Sequence, residues 1–172
     1  MEIDLGKGLI AVIDDEDADL VAGFKWYPMK APHGKFYPAG WKHMPPGRYF
    51  VHLHRLIANA QPGELIDHVD RDPLNCRRSN LRRVTRQQNN QNRSPNQRQR
   101  TSKYKGIYPA RSFGCFRAAI VHNRKRIILG YFKNEEDAAR AYNAKAVELF
   151  GEFAYLNPVP EVMQGEEAAS GI

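Results

Sequence analysis

Between Glu64 and Asn92 the chain reads ELIDHVDRDPLNCRRSNLRRVTRQQNNQN. An Asp67-His68 pair is followed by a polar loop, then Asn80, then a run of asparagines. Hydrolysis of a phosphodiester needs an activated water and something to stabilise the departing oxygen. A neutral histidine suits the first task, because its pKa lies near neutrality. A divalent cation on hard oxygen ligands suits the second. Neighbouring strand residues point to opposite sides. Asp67 and His68 can therefore flank a phosphate, one on the metal side and one on the side of the attacking water. An asparagine early in a following helix can offer the metal a second oxygen. Asn89 is the favoured one, with Asn90 and Asn92 close by. Asn80 stands where the loop rejoins a strand, and its amide can tie the loop across and fix the histidine's geometry.

Each feature alone has a plainer reading. An Asp-His pair in a strand is usually a polar surface pair, and Asn80 alone reads as a turn residue. Their co-occurrence in one short unit, set in basic sequence, favours the chemical reading.

The elements that must position these residues follow from local pattern. Leu65 to Val69 reads as a short strand after the Pro62-Gly63 turn. Asp70 to Ser79 has turn residues and no apolar period, so it reads as a loop. Leu81 to Val84 suits a second strand. Thr85 and Gln88 have the spacing of a capping box, which predicts a helix that stops before Pro95.

This strand, loop, strand, helix unit resembles the HNH nuclease motif, the ββα-metal finger (His-Me finger), and most closely that of phage homing endonucleases. The resemblance covers Val51 to Asn92. It implies His68 as general base, Asn80 as the structural asparagine, and Asp67 and Asn89 as metal ligands. The last letter of the motif is Asn here rather than His, a variation found in the phage branch. An all-oxygen set of that kind favours Mg²⁺ or Mn²⁺ over zinc.

Charge points to the partner. The formal net charge is +7. From Pro73 to Asn134 there is no Asp or Glu, while Lys and Arg number 16; the remainder, with 10 basic and 19 acidic residues, is net −9. A uniformly basic block is the footprint of a polyanion partner. Arg77, Arg78, Arg82, Arg86, Arg93, Arg98 and Arg100 are its candidate contacts in the first half. No long apolar run, signal peptide or lipidation motif points to a membrane. Cys76 and Cys115 are far apart and form no CxxC pair, so a structural zinc is not indicated, and a reducing cytosol is the natural setting.

Before the finger, residues 1–50 read as a β-rich module with Leu9 to Ile13 as one strand and Asp14 to Asp19 as an acidic loop or helix start. Its expected role is a scaffold. In Tyr49 to Leu53, alternation sets Phe50 and His52 opposite Val51, with His54 following. His52 and His54 can form a two-histidine metal pair, but two ligands make no site. Residues 94–102 read as a basic linker able to track a phosphate backbone.

Residues 103–157 form a second module. Strands are expected at Tyr104 to Tyr108, Gly114 to His122 and Arg124 to Phe132, the last two joined as a hairpin. Asn134 and the acids after it open a helix from Glu135 to Phe150 that ends at Gly151. This is a three-stranded antiparallel sheet packed on one helix, with an arginine-bearing face left free. At YKGI, LGYF and EEDAARAYNAKAVELFGEFAYLN the module resembles the plant ethylene-response-factor (Apetala-two) DNA-binding domain. The resemblance covers Tyr104 to Asn157 and implies a sheet that enters the major groove of double-stranded DNA. Arg126 matches a groove-contacting arginine, and Tyr108, Phe113 and Arg117 lie on matching strand segments. Arg111 and Arg124 add charge nearby. Ile128 stands where the plant domains have a contacting tryptophan, and Ala119 and Val121 where they have charged residues, so the plant target does not carry over. Residues 158–172 read as a flexible acidic tail.

The expected fold is α+β. The expected activity is that of a site-specific, metal-dependent DNA endonuclease of the phage homing type. It nicks one strand as a monomer in the cytoplasm of an infected bacterial host cell. The alternatives are a DNA-binding regulator with an inactive finger, and an RNA-binding protein.

Overall fold

The computed structural model describes residues 1–94, 102–110 and 114–160. The fold is α+β and divides into two compact units, Met1–Arg93 and Ser94–Ile172.

In the first unit, β1 (Glu2–Asp4) and β2 (Ile10–Val12) pair antiparallel. A 3-10 turn over Asp15–Asp17 leads into α1 (Ala18–Val21). Then β3 (Lys25–Lys30), β4 (Phe36–Met44) and β5 (Gly47–His52) form an antiparallel sheet in that order. The chain turns helical at α2 (Leu53–Ile57). The boundary expected at residue 50 falls inside β5, whose Phe50 pairs with Trp41 and Val51 with Gly40. One core serves both halves: Leu5, Ala11, Ile13 and Val21 pack with Leu53, Ile57 and Cys76. Removing all seven from water is the main force that closes this unit.

The nuclease-like stretch follows as expected. The strands β6 (Leu65–His68) and β7 (Leu81–Val84) pair antiparallel, with Asp67 opposite Arg82 and His68 opposite Leu81. Helix α3 (Arg86–Asn92) starts at Thr85 with both bonds of the capping box formed: Gln88 N donates to Thr85 Oγ1 at 3.2 Å, and Thr85 N donates to Gln88 Oε1 at 2.8 Å.

In the second unit, β8 (Ile107–Ala110), β9 (Cys115–His122) and β10 (Lys125–Phe132) form an antiparallel sheet with β9 central. The hairpin turn uses Asn123 and Arg124, at φ 49° and 63°. Two positive φ values match the twist of the flanking strands. Helix α4 (Glu135–Phe150) covers one sheet face through Ala138, Ala139, Tyr142, Ala146 and Phe150, against Ile107, Ala118 and Ile120.

Three details differ from the sequence expectations. Strand β8 starts at Ile107 rather than Tyr104, because Gly106 sits at φ +77° and turns the chain while Tyr104 drops into the core. Asn134 occupies the cap position of α4, yet its side chain makes no cap bond and donates to Asp137 Oδ2 at 3.1 Å instead. Residues 158–160 are not loose tail: Val159 packs on the second core, and Arg140 donates to the Pro160 carbonyl at 3.0 Å. The rest of the expected tail and most of the linker lie outside the described residues. No helix among the described residues is long and apolar enough to cross a membrane.

Candidate active site

Strand β6 presents its last two residues to different surroundings. His68 is 5% exposed. Its Nε2 lies 3.9 Å from Cys76 Sγ, and its ring meets the rings of His54 and Tyr37 edge to face at centroid distances of 5.2 and 6.3 Å. Burial pushes the imidazole below its ordinary pKa; Asp70, Asp67 and Asp72 pull it back up without cancelling the effect. At pH 7 the ring is neutral, the form that can accept a proton. Cys76 is no competing nucleophile, since burial pushes its thiol up to about 12.

Asp67 lies on the side of α3. Its Oδ2 accepts from Arg82 Nη2 at 3.2 Å and from Asn92 Nδ2 at 2.8 Å. Its Oδ1 accepts no hydrogen bond among the described residues. Asn92 also donates to the His68 carbonyl at 3.2 Å and is 3% exposed. It straps the end of β6 to the helix. Asn89 lies one turn earlier on the same helical face. Its amide nitrogen caps back to the Thr85 carbonyl, and its half-buried side chain makes no hydrogen bond among the described residues.

Asn80 holds the loop behind His68. Its Oδ1 accepts from the Asp70 amide at 3.0 Å, while its Nδ2 donates to Asp70 Oδ1 at 2.9 Å and to the Asn75 carbonyl at 2.7 Å. Both the amide nitrogen and the carbonyl oxygen of the buried side chain are engaged, as burial of a polar group requires. Burial works against ionisation of Asp70. The donors on Asp72, Asn75 and Asn80 outweigh it and keep the carboxyl below its ordinary range.

Among the described residues no three His, Cys, Asp or Glu side chains converge to hold a metal. A closed tetrahedral zinc site is therefore not what these residues offer. The uncommitted Asp67 Oδ1 and the Asn89 side-chain amide are hard oxygen donors, the type that a divalent cation such as Mg²⁺ takes. His52 and His54 stand with ring centroids 5.6 Å apart, and the buried Nδ1 of each has no hydrogen-bond partner among the described residues. Burial, with His68, His52 and Arg55 nearby, drives His54 down to about 3.

The expected nucleic-acid contacts sort into two groups. Arg82 is committed to Asp67, and Arg78 to Asp17 and Glu16, so in this structure both serve the fold. Arg77, Arg86 and Arg93 are exposed around the finger, and Tyr108, Arg124 and Arg126 on the second sheet; Arg117 is half-buried there. Arg98, Arg100, Arg111 and Phe113 lie outside the described residues. Sequence reasoning missed Tyr37: the β-rich module is more than a scaffold, since it supplies a ring to the wall around His68. It also left Asn92 as a spare ligand, although its spacing of three from Asn89 already put both on one face.

The model of the HNH endonuclease family matches residues 51–91. An uncharacterized HNH endonuclease of Acanthamoeba polyphaga mimivirus is 34% identical over 160 residues, covering 90% of this chain and 78% of that protein. The chain belongs to the HNH endonuclease family. The matched segment runs from β5 through α3 and contains His68, Asp67, Asn80 and Asn89.

Proposed function

We propose that this HNH protein is a metal-dependent DNA endonuclease of the homing type that hydrolyses one phosphodiester with His68 as general base. The observation that carries the reading is the pairing on β6 of a buried, neutral His68 with an Asp67 whose Oδ1 is uncommitted. Asp67 and Asn89 would hold a Mg²⁺ or Mn²⁺ ion. When bound, the ion supplies Lewis-acid stabilisation of the departing oxygen. His68 takes the proton of the attacking water. Asn80 keeps the loop closed behind the imidazole, and Asn92 and Arg82 fix the Asp67 carboxylate through Oδ2.

The second unit steadies or selects the DNA. Its sheet and single helix, with Tyr108, Arg117 and Arg126 on the uncovered face, support the ethylene-response-factor-like reading. A finger and a groove-reading sheet joined by a basic segment suit a long recognition site on duplex DNA. One finger per chain suits nicking by a monomer. Two free cysteines suit a reducing setting, in keeping with a role in the cytoplasm of an infected bacterial cell.

Nicking of supercoiled plasmid tests this, with Mg²⁺ or Mn²⁺, with EDTA, and with His68→Ala and Asp67→Ala proteins. Cutting is expected only with metal, and His68→Ala lowers the rate by about 10²- to 10⁴-fold while DNA binding persists. Tight, salt-sensitive binding without cutting by the unaltered protein would instead make it a DNA-binding regulator.

A further inference from the structure

The uncovered face of the second sheet carries more than its cations. On that face β9 presents Arg117, Ala119 and Val121, paired across to Tyr131, Ile128 and Arg126 of β10, and Tyr108 of β8 pairs with Arg117. Val121 is 56% exposed and Ile128 54%. Arg126 faces Val121 and Ile128 faces Ala119, so the two aliphatic side chains are diagonal neighbours within reach of one another. The core does not require them there, since α4 covers the opposite face.

Their surroundings indicate what covers them. The guanidinium groups of Arg117 and Arg126 lie over the Tyr108 ring, 5.6 and 5.9 Å from its centroid. Arg124 and Lys125 stand exposed at the adjoining turn. No acid occurs anywhere from Pro73 to Asn134. An apolar protein surface would desolvate these cations without compensation. A nucleic acid neutralises them with phosphates, but phosphates offer nothing to Val121 and Ile128. The edge of one base does: the major groove exposes the C5 methyl of thymine, and a strand ribbon fits that groove.

We propose that Val121 and Ile128 read thymine 5-methyl groups, so that this sheet selects thymine-containing steps in the major groove. The inference rests on the DNA-binding reading of the second unit. Its selectivity is apolar, flanked by the backbone-neutralising arginines. It also favours DNA over RNA, because uracil lacks the methyl and the major groove of A-form RNA is too narrow to be read.

The test uses the full chain in EDTA, so that the probe survives. A duplex is selected from a random-sequence pool and compared with the same duplex in which every thymine is replaced by deoxyuridine. The selected sequences are expected to be rich in thymine. The deoxyuridine duplex is expected to bind more weakly by about fourfold for each methyl contacted. Val121→Ser/Ile128→Ser should erase that difference, whereas Arg126→Ala should weaken both duplexes and leave their ratio unchanged. Equal affinity for the two duplexes overturns the methyl assignment and leaves DNA binding intact. A ratio unaltered in the double serine variant places the methyl contacts elsewhere and overturns it as well. Failure to bind any duplex overturns the DNA reading beneath it. Self-association that Ile128→Ser abolishes, with duplex affinities unmoved, makes the patch an interface between copies and overturns the proposal.

Discussion

The three asparagines of the finger differ in what their amides are already doing. Asn80 spends its whole amide on the loop, Asn92 spends its nitrogen on Asp67 and on the His68 carbonyl, and Asn89 spends nothing among the described residues. An uncommitted oxygen donor is available to a metal, whereas a donor already bonded to the Asp67 carboxylate fixes that carboxylate. Asn89→Ala is therefore expected to raise the Mn²⁺ concentration needed for nicking, with recovery at high Mn²⁺ and an unchanged urea midpoint. Asn92→Ala is expected to cost about 1–3 kcal/mol of stability, because buried acceptors lose their donor. Added Mn²⁺ should not restore its cutting. Urea melts and Mn²⁺ titrations of the two variants, run side by side, decide the assignment; reversed behaviour would exchange the roles.

Among the elements, α2 and β8 carry distinct risks. Helix α2 brings His54 into the packed interior, where burial drives its folded pKa from 6.5 to about 3. The unfolded chain binds a proton below about pH 6.5 that the folded chain refuses. Stability is thus fully present above that pH and falls as pH drops, by up to about 1.4 kcal/mol per unit for this group, until the folded imidazole itself titrates. His52, also lowered by burial, acts in the same direction. Urea midpoints at pH 7, 6 and 5 should fall steeply for the natural chain and less steeply for His54→Gln. In the second unit, β8 depends on Gly106. A Cβ there would lie 2.3 Å from the Tyr142 ring and 2.5 Å from the Ala119 carbonyl oxygen, at φ +77°. Gly106→Ala is expected to destabilise that unit by about 3 kcal/mol through overpacking and strain together. Calorimetry should show its transition lowered. Metal-dependent nicking at high protein concentration should survive.

At the scale of the whole molecule, two cores imply two separable tasks. A chain cut back to Met1–Arg93 retains the nuclease stretch and its core but loses the second sheet and most of the basic block. It is expected to nick plasmid at high concentration with at least about tenfold weaker DNA affinity. Its log affinity should fall more shallowly with log salt, because each phosphate contact removed takes roughly 0.9 from the slope. A fragment that binds with full affinity and unchanged slope would show that the second unit is not a DNA-binding element.

Elements governed by neighbours in sequence were legible before the structure. The capping box at Thr85, the ends of α4 at Glu135 and Gly151, and the alternation of Phe116, Ala118 and Ile120 all depend on contacts within a few residues. The order Asp67, His68, Asn80, Asn89 was legible for the same reason, since one hairpin and one helix hold all four. Long-range packing decided the rest. Tyr37 reaches His68 only because β4 folds over the finger, and Arg78 is drawn to Asp17 by a contact 61 residues away along the chain. Nothing local distinguishes Arg82, half-buried against Asp67, from the exposed Arg86 four residues later. The charges are alike in sequence, and only the tertiary structure decides which are neutralised by the chain's own carboxylates and which remain for a phosphate.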